Sequence, residues 1–357
     1  MKRLSVATAL FFLVGGVAAV LWWLTRSAGY GLPPNPYGLT APQEARVARY
    51  FADAAHHQNY QISVTTLHAW LKDKRPVLMI DVRQPYGQMG YQSGHIPGAV
   101  NIPLQWMGEE LEATRRYTRT LPFVTDAGTT RIDRITFFPL PRREPIVVMC
   151  YDGNGGEMTP VLLRLLGYSA YGLKDGVALW NPALNVWPAP GTTGAGGDLP
   201  LATGTSPVAL RPAATGPDVL GPAWASRLAP FFTRLNHPYP AGYAFPWTIL
   251  PGALYAALAA PHPPQVIDLR SPQSFQAGHI AGSVNIPFAL LGGNLNRLNP
   301  QEPVVLVSQS LQSAAQANAV LRLLGYRSYV LKQGLASWNH LENQIPSPHR
   351  YPIVEGP

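Results

Sequence analysis

The chain of 357 residues has a single cysteine, Cys150. An intramolecular disulfide is therefore excluded, and so is a zinc site built on several thiolates. Charge is also scarce. Asp, Glu, Lys and Arg make up 13% of the residues, about half the ordinary share. The 27 basic residues outnumber the 19 acidic ones, for a net charge of +8. They are scattered, and no Lys/Arg-rich run interleaved with aromatics occurs, so nucleic-acid binding is not expected. His56 and His57 are adjacent but have no third ligand signalled nearby. Neither a metal nor another cofactor is expected.

The residues that are abundant set the organisation. Apolar residues make up 46% of the chain, enough to build cores. The 33 Gly and 37 Pro are too many for compact domains throughout, so part of the length should be linker. An uncharged apolar stretch runs from Leu4 to Leu24, with Lys2 and Arg3 before it and Trp22 and Trp23 at its far end. Its length approaches the ~20 residues a helix needs to cross a bilayer. Residues 1–29 are read as an uncleaved anchor held in the inner membrane through residues 4–24, the alternative being a cleaved signal. The positive flank stays cytoplasmic, so the soluble body belongs in the periplasm or outside the cell. No other apolar run of this length exists.

The body contains an internal repeat. Asp81-Val82-Arg83 matches Asp268-Leu269-Arg270, and Gly94-His95-Ile96-Pro97-Gly98-Ala99-Val100-Asn101-Ile102-Pro103 matches residues 278–287 (GHIAGSVNIP). The LRLLGY of 163–168 returns at 321–326, and both copies close with Leu-Lys-x-Gly-x-x-x-Trp-Asn, ending at Asn181 and Asn339. Residues 150–181 align with 308–339 without a gap. The segments PVLMIDV, PIVVMC and YGLKDG read as strands. Residues 42–56, 65–72 and 158–167 have helical patterning, the last ending at Gly167. Such alternation implies an α/β fold with a mainly parallel sheet and helices on both faces.

This series of motifs, with an apolar strand ending in Cys before a Gly-rich loop, resembles the rhodanese (sulfurtransferase) domain. The resemblance covers roughly 60–185 and 247–342 and implies two tandem copies of that fold. The expected domains are 30–59 (spacer and short helix), 60–185 (first copy), 186–246 (Pro/Gly-rich linker with an aromatic segment), 247–345 (second copy) and 346–357 (tail). The aromatic segment, with Trp224, Phe231, Phe232 and Trp247 among others, is expected to pack on a domain.

In that family a cysteine at the strand–loop junction accepts sulfane sulfur as a persulfide and passes it to a nucleophile. Cys150 falls at that place, making it the expected catalytic residue. Tyr151, Asp152, Gly153, Asn154, Gly155 and Gly156 form the expected substrate-binding loop. Its glycines let successive amides turn inward as an anion-holding cup, which is expected to lower the thiol pKa. Many family members carry Arg or Lys late in this loop, where this chain has Gly155 and Gly156. It also has Asp152, and Glu157 just beyond, which oppose an anion. Thiosulfate is therefore not singled out as donor, and a polysulfide or a protein persulfide fits as well. The 41 residues between Pro103 and Pro145, against 15 between Pro287 and Pro303, carry seven arginines that could supply charge.

The second copy has Ser308 in place of the cysteine and no glycine in residues 309–312, so it reads as inactive. Asp81, Arg83 and His95 are read as loop anchors, and Trp180 and Trp338 as core closures. The expected function is sulfur transfer from a small donor through Cys150 to a thiol or protein acceptor. The alternative is a non-catalytic binding or sensing module. A thiol-dependent phosphatase would need an arginine at position 156, which is Gly.

Overall fold

The computed structural model describes residues 29–355, apart from 88, 125–129, 194–196, 206–209, 213–218, 237–238 and 245. The expected anchor lies outside the described residues, and no helix among those described is long and apolar enough to cross a membrane.

Two α/β units follow one another, as the repeat implies. In the first, β1 (Gln61–Ile62), β2 (Leu78–Asp81), β3 (Val100–Asn101), β6 (Ile146–Met149) and β7 (Ala170–Leu173) form a parallel sheet in the order β1-β7-β6-β2-β3. Between β3 and β6 the extra length of this copy folds as an antiparallel ribbon, β4 (Tyr117–Val124) with β5 (Thr130–Phe137). The second unit orders β11 (Val284–Asn285), β10 (Gln265–Asp268), β12 (Val304–Val307), β13 (Ser328–Leu331), β9 (Thr248–Ile249) and β8 (Tyr243–Ala244), antiparallel only at the β8–β9 edge. The central strands are apolar runs, IVVM in β6 and VVLV in β12, buried at every position. Strands covered on both faces need apolar residues at every position, which explains the lack of alternation.

The helices are α1 (Ala41–His56), α2 (Val64–Lys72), α3 (Met107–Glu112), α4 (Asn154–Leu165), α5 (Ala225–Leu228), α6 (Pro230–Thr233), α7 (Pro251–Leu258), α8 (Pro272–Ala277) and α9 (Gln312–Leu323). Two of them, α4 and α9, occupy the same place in each copy and pack on one another across the junction of the units. Helix α4 begins four residues before the expected 158, because the glycine loop itself turns into its first turn. It stops where expected, with Gly167 at φ +88.

Residues 30–40 are not a free spacer. The Tyr30 amide donates to the Asn296 carbonyl, and the Pro34 carbonyl lies where a side chain at Gly325 would stand. Helix α1 then packs on residues 288–297 and on α9, with Tyr50 and Phe51 fully buried. The aromatic segment packs on the first unit as expected. Phe231 and Phe232 are fully buried, and a methyl at Gly108 in α3 would stand 2.7 Å from the Ala229 carbonyl oxygen. No such contact is readable from composition alone.

Candidate functional site

Cys150 follows β6, the middle strand of its sheet, at the carboxyl edge where open α/β sheets bind ligands. The backbone amides of Gly153 and Gly156 lie close enough to its sulfur to favour the thiolate. Two features allow that convergence. Gly153 sits at φ +108, which side-chain-bearing residues rarely adopt, and the Gln312 amide stands 2.6 Å from where its Cβ would be. Gly156 crosses so close to β6 that a Cβ would lie 3.1 Å from the Cys150 nitrogen. A side chain at 156 would therefore press on the strand that carries Cys150.

The loop is also held from behind. Val177 N–H donates to the Cys150 carbonyl at 2.9 Å and Ala178 N–H to that of Tyr151 at 3.1 Å. Gly176, the glycine of the closing motif, is at φ +69 with no room for a Cβ beside those carbonyls. Asp152 accepts from the Asn154 amide at 3.3 Å, and the Asn154 side chain donates to the Pro246 carbonyl. Gly155 rests on Leu104, the first residue of the insertion. Tyr151 is half-buried, with the Arg83 guanidinium 5.7 Å from its ring centre. Of the predicted loop residues, 151–153 form the bend after Cys150 and 154–156 the first turn of α4.

The electrostatics correct one expectation. Burial pushes the Cys150 thiol up to about 12, with Asp152 adding to it, while the two glycine amides pull the other way and Asp81 again raises it. The amide cup is present, but with the thiol 5% exposed, desolvation outweighs it. The two expected carboxylates also differ. Asp152 is half-buried beside the thiol, and burial raises its own pKa, with Lys332 of the second unit opposing. Glu157 points away, into the junction between the units. Its carboxylate accepts from Gln316 Nε2 at 2.6 Å and occupies the space a side chain at Gly172 would fill. Burial lifts Glu157 to about 8, so it does not act on the thiol as a fixed negative charge.

Asp81 and Arg83 form a buried two-pronged ion pair, with contacts of 2.7–3.1 Å. Arg83 also donates to the carbonyls of Met89 and Gly94, so it anchors the loop between them. Two insertion arginines are engaged elsewhere. Arg119 pairs with Glu109, and Arg142 bonds the Leu166 carbonyl at the far end of α4 while lying over the Tyr168 ring. Among the described residues no group of three or more His, Cys, Asp or Glu could hold a metal ion.

In the second unit Ser308 accepts from the Ala314 amide at 3.3 Å, the counterpart of the Gly156 contact. The counterpart of Gly153 is Leu311 at φ −131, so the inward turn is missing there. That unit nevertheless reaches the Cys150 loop, because Gln312 Nε2 donates to the Asp152 carbonyl at 2.8 Å. Sequence reasoning missed Gln312 and Lys332. The available signal was the repeat itself, since equivalent helices of the two copies, α4 and α9, pack on one another.

Comparison with known families finds the Rhodanese-like domain at residues 63–183 and 250–341, more than half of the chain. The chain belongs to that family. It is 37% identical over 75 residues to YqhL of Bacillus subtilis, an alignment spanning 21% of this chain and 60% of the relative. It is 38% identical over 77 residues to YibN of Escherichia coli K12, spanning 20% of this chain and 54% of the relative. The chain thus matches little more than half the length of these relatives. Among solved structures, a thiosulfate sulfurtransferase from Pseudomonas aeruginosa is 16% identical, with 88% of this chain and 50% of that one covered and a TM-score of 0.28. A rhodanese-related protein from Thermoplasma volcanium is 27% identical, with 30% and 96% covered and a TM-score of 0.25.

Proposed function

We propose that this member of the rhodanese-like family is a sulfurtransferase that carries sulfane sulfur as a persulfide on Cys150. The observation that supports it is the place of Cys150 at the end of the central strand, where Gly153 at φ +108 turns the chain at once into helix α4. The thiolate attacks the outer sulfur of the donor, a sulfur–sulfur bond forms, and the donor's remainder leaves with the bonding pair. An acceptor thiolate then attacks the outer sulfur of the persulfide, and Cys150 leaves as thiolate. With no second cysteine in the chain, that acceptor must be an outside thiol or protein. The amides that meet the thiolate are placed to hold the persulfide anion as well. The anchor reading extends to a body tethered to the inner membrane on its periplasmic side.

A second reading is a non-catalytic binding module. The low exposure of the thiol and its raised pKa favour it. Mass spectrometry of the full chain treated in turn with thiosulfate, polysulfide and glutathione persulfide separates the two. The proposal expects one added sulfur atom on Cys150 with at least one donor, discharged by excess thiol and absent in Cys150→Ser. No adduct with any of the three would leave the binding module as the function.

A further inference from the structure

Each repeat carries a groove occupied by a segment from the far side of the other repeat, and the contacts match residue for residue. In the first unit the occupant is the tail Tyr351-Pro352-Ile353-Val354. The Tyr351 amide donates to the Trp180 carbonyl at 3.1 Å, Trp180 Nε1 to the Pro352 carbonyl at 2.8 Å, and Asn181 Nδ2 to the Tyr351 carbonyl at 2.6 Å. His95 and Val354 exchange backbone hydrogen bonds as an antiparallel bridge. In the second unit the occupant is Leu199-Pro200-Leu201-Ala202, from the connector. The Leu199 amide donates to the Trp338 carbonyl at 2.8 Å, Trp338 Nε1 to Pro200 at 2.9 Å, and Asn339 Nδ2 to Leu199 at 2.8 Å, while His279 and Ala202 form the bridge.

Side chains follow the same scheme. The residue after the proline enters a slot floored by a glycine. Ile353 Cδ1 stands 3.0 Å from the Cβ position of Gly94, and Leu201 Cδ1 stands 3.2 Å from that of Gly278. The prolines themselves are exposed in both occupants. Inward and outward residues alternate, as in an extended strand added to an edge, where main-chain bonds give affinity and alternate pockets give selectivity. The first position differs between the grooves. Tyr351 stacks on His68 at 4.0 Å, where the second groove has Tyr255 as the aligned residue and Leu199 as the occupant. The Gly-His and Trp-Asn pairs of the repeat, among them His95, read from sequence as a loop anchor, and Trp180 and Trp338, read as core closures, therefore line a binding groove.

We propose that these grooves are peptide-recognition sites for an extended apolar–Pro–apolar segment, filled in cis by the two straps, and that the first groove selects an aromatic residue before the proline. The inference does not depend on the sulfurtransferase reading, since it concerns peptide binding and not the thiol.

The test uses the full chain with a protease site inserted after Ser347, in an exposed stretch. After cleavage and removal of the tail, a fluorescent peptide of residues 349–355 is titrated and its anisotropy followed. Saturable binding to the cut chain but not to the uncut chain is expected, with a residue-scrambled peptide inactive and a peptide of residues 198–203 weaker. Trp180→Phe with Asn181→Ala removes two side-chain donors and should weaken binding at least tenfold. If loss of the tail loosens the first unit, the 349–355 peptide must raise the melting temperature of the cut chain while the scrambled one does not. Failure to bind or stabilise, equal response to the scrambled peptide, or unchanged affinity in the double variant overturns the proposal.

Discussion

The buried Glu157 makes a quantitative prediction about how the two units hold together. It is fully buried where α4 meets α9, and burial lifts its pKa from an ordinary 4.5 to about 8. The folded state is thus the form that keeps the proton. Below pH 4.5 folded and unfolded chains both carry it, and Glu157 costs nothing. As pH rises the unfolded chain ionises first, so stability falls until the folded carboxyl also ionises near 8. At ~1.4 kcal/mol per unit the cost is ~3 kcal/mol at pH 7 and approaches ~5 kcal/mol above pH 8. Glu157→Gln keeps the shape of the neutral acid and can still accept from Gln316, but it cannot ionise. Urea unfolding followed by tryptophan fluorescence should find variant and parent alike within ~1 kcal/mol at pH 4.5. The variant should pull ahead by a few kcal/mol between pH 7 and 8. A difference that does not change with pH, or a variant less stable throughout, would refute the assignment of this burial cost. Glu110, lifted by burial to about 8, remains in both proteins and cancels in the comparison, while Asp175, lifted to about 6, repels the Glu157 carboxylate and adds to the gain in the variant.

Three more outcomes follow from the same geometry. Because burial holds the Cys150 thiol up near 12, the rate of sulfur loading from a fixed donor should climb ~tenfold per pH unit from 7 to 10. Stopped-flow loading that levels off below pH 8 would contradict it. Gly153→Ala must adopt φ +108 and meets Gln312 at 2.6 Å. It should cost more than ~1 kcal/mol and slow loading, and pairing it with Gln312→Ala should recover only the steric part, read by chemical denaturation and by persulfide yield. Ser308→Cys gains a thiol but not the inward turn, since Leu311 keeps φ −131. No sulfur adduct on residue 308 is expected by mass spectrometry, and a stoichiometric one would show that the amide cup is dispensable.

What the sequence made legible was whatever is written locally or twice. The apolar runs before Asp81 and Cys150 became β2 and β6, Gly167 ended its helix, and Gly153 took the positive φ that the loop's glycines allow. The sign of the thiol shift was missed, because desolvation depends on what packs on the Cys150 loop, where Leu104 lies against Gly155 and Gln312 against Gly153. Neither contact has a local signal, since Gln312 lies 160 positions from Asp152. Residues 30–40 and 198–202 misled for a related reason. Pro- and Gly-rich composition reads as linker, yet an extended segment can donate and accept backbone hydrogen bonds against another unit and be held there.

That distinction changes how the second repeat is understood. The second copy has Ser308 for the cysteine and lacks the positive-φ turn, yet the residues identical between copies include Gly94 and Gly278, Trp180 and Trp338, Asn181 and Asn339. These three pairs do not touch the sulfur. They hold the two straps, the tail on the first unit and the connector on the second. Within that junction Gln316 meets Glu157 and Gln312 meets the Asp152 carbonyl, only two residues from the thiol. A copy without a nucleophile can therefore still set the shape of the loop that has one, through α9 packed on α4 and the strap bound at Trp180. Trp180 itself lies three residues beyond Val177, whose amide holds the Cys150 carbonyl. Strap, closing motif and loop form one continuous hydrogen-bonded path in the first unit, and repacking at its groove should register at Cys150 before it registers in the ribbon β4–β5.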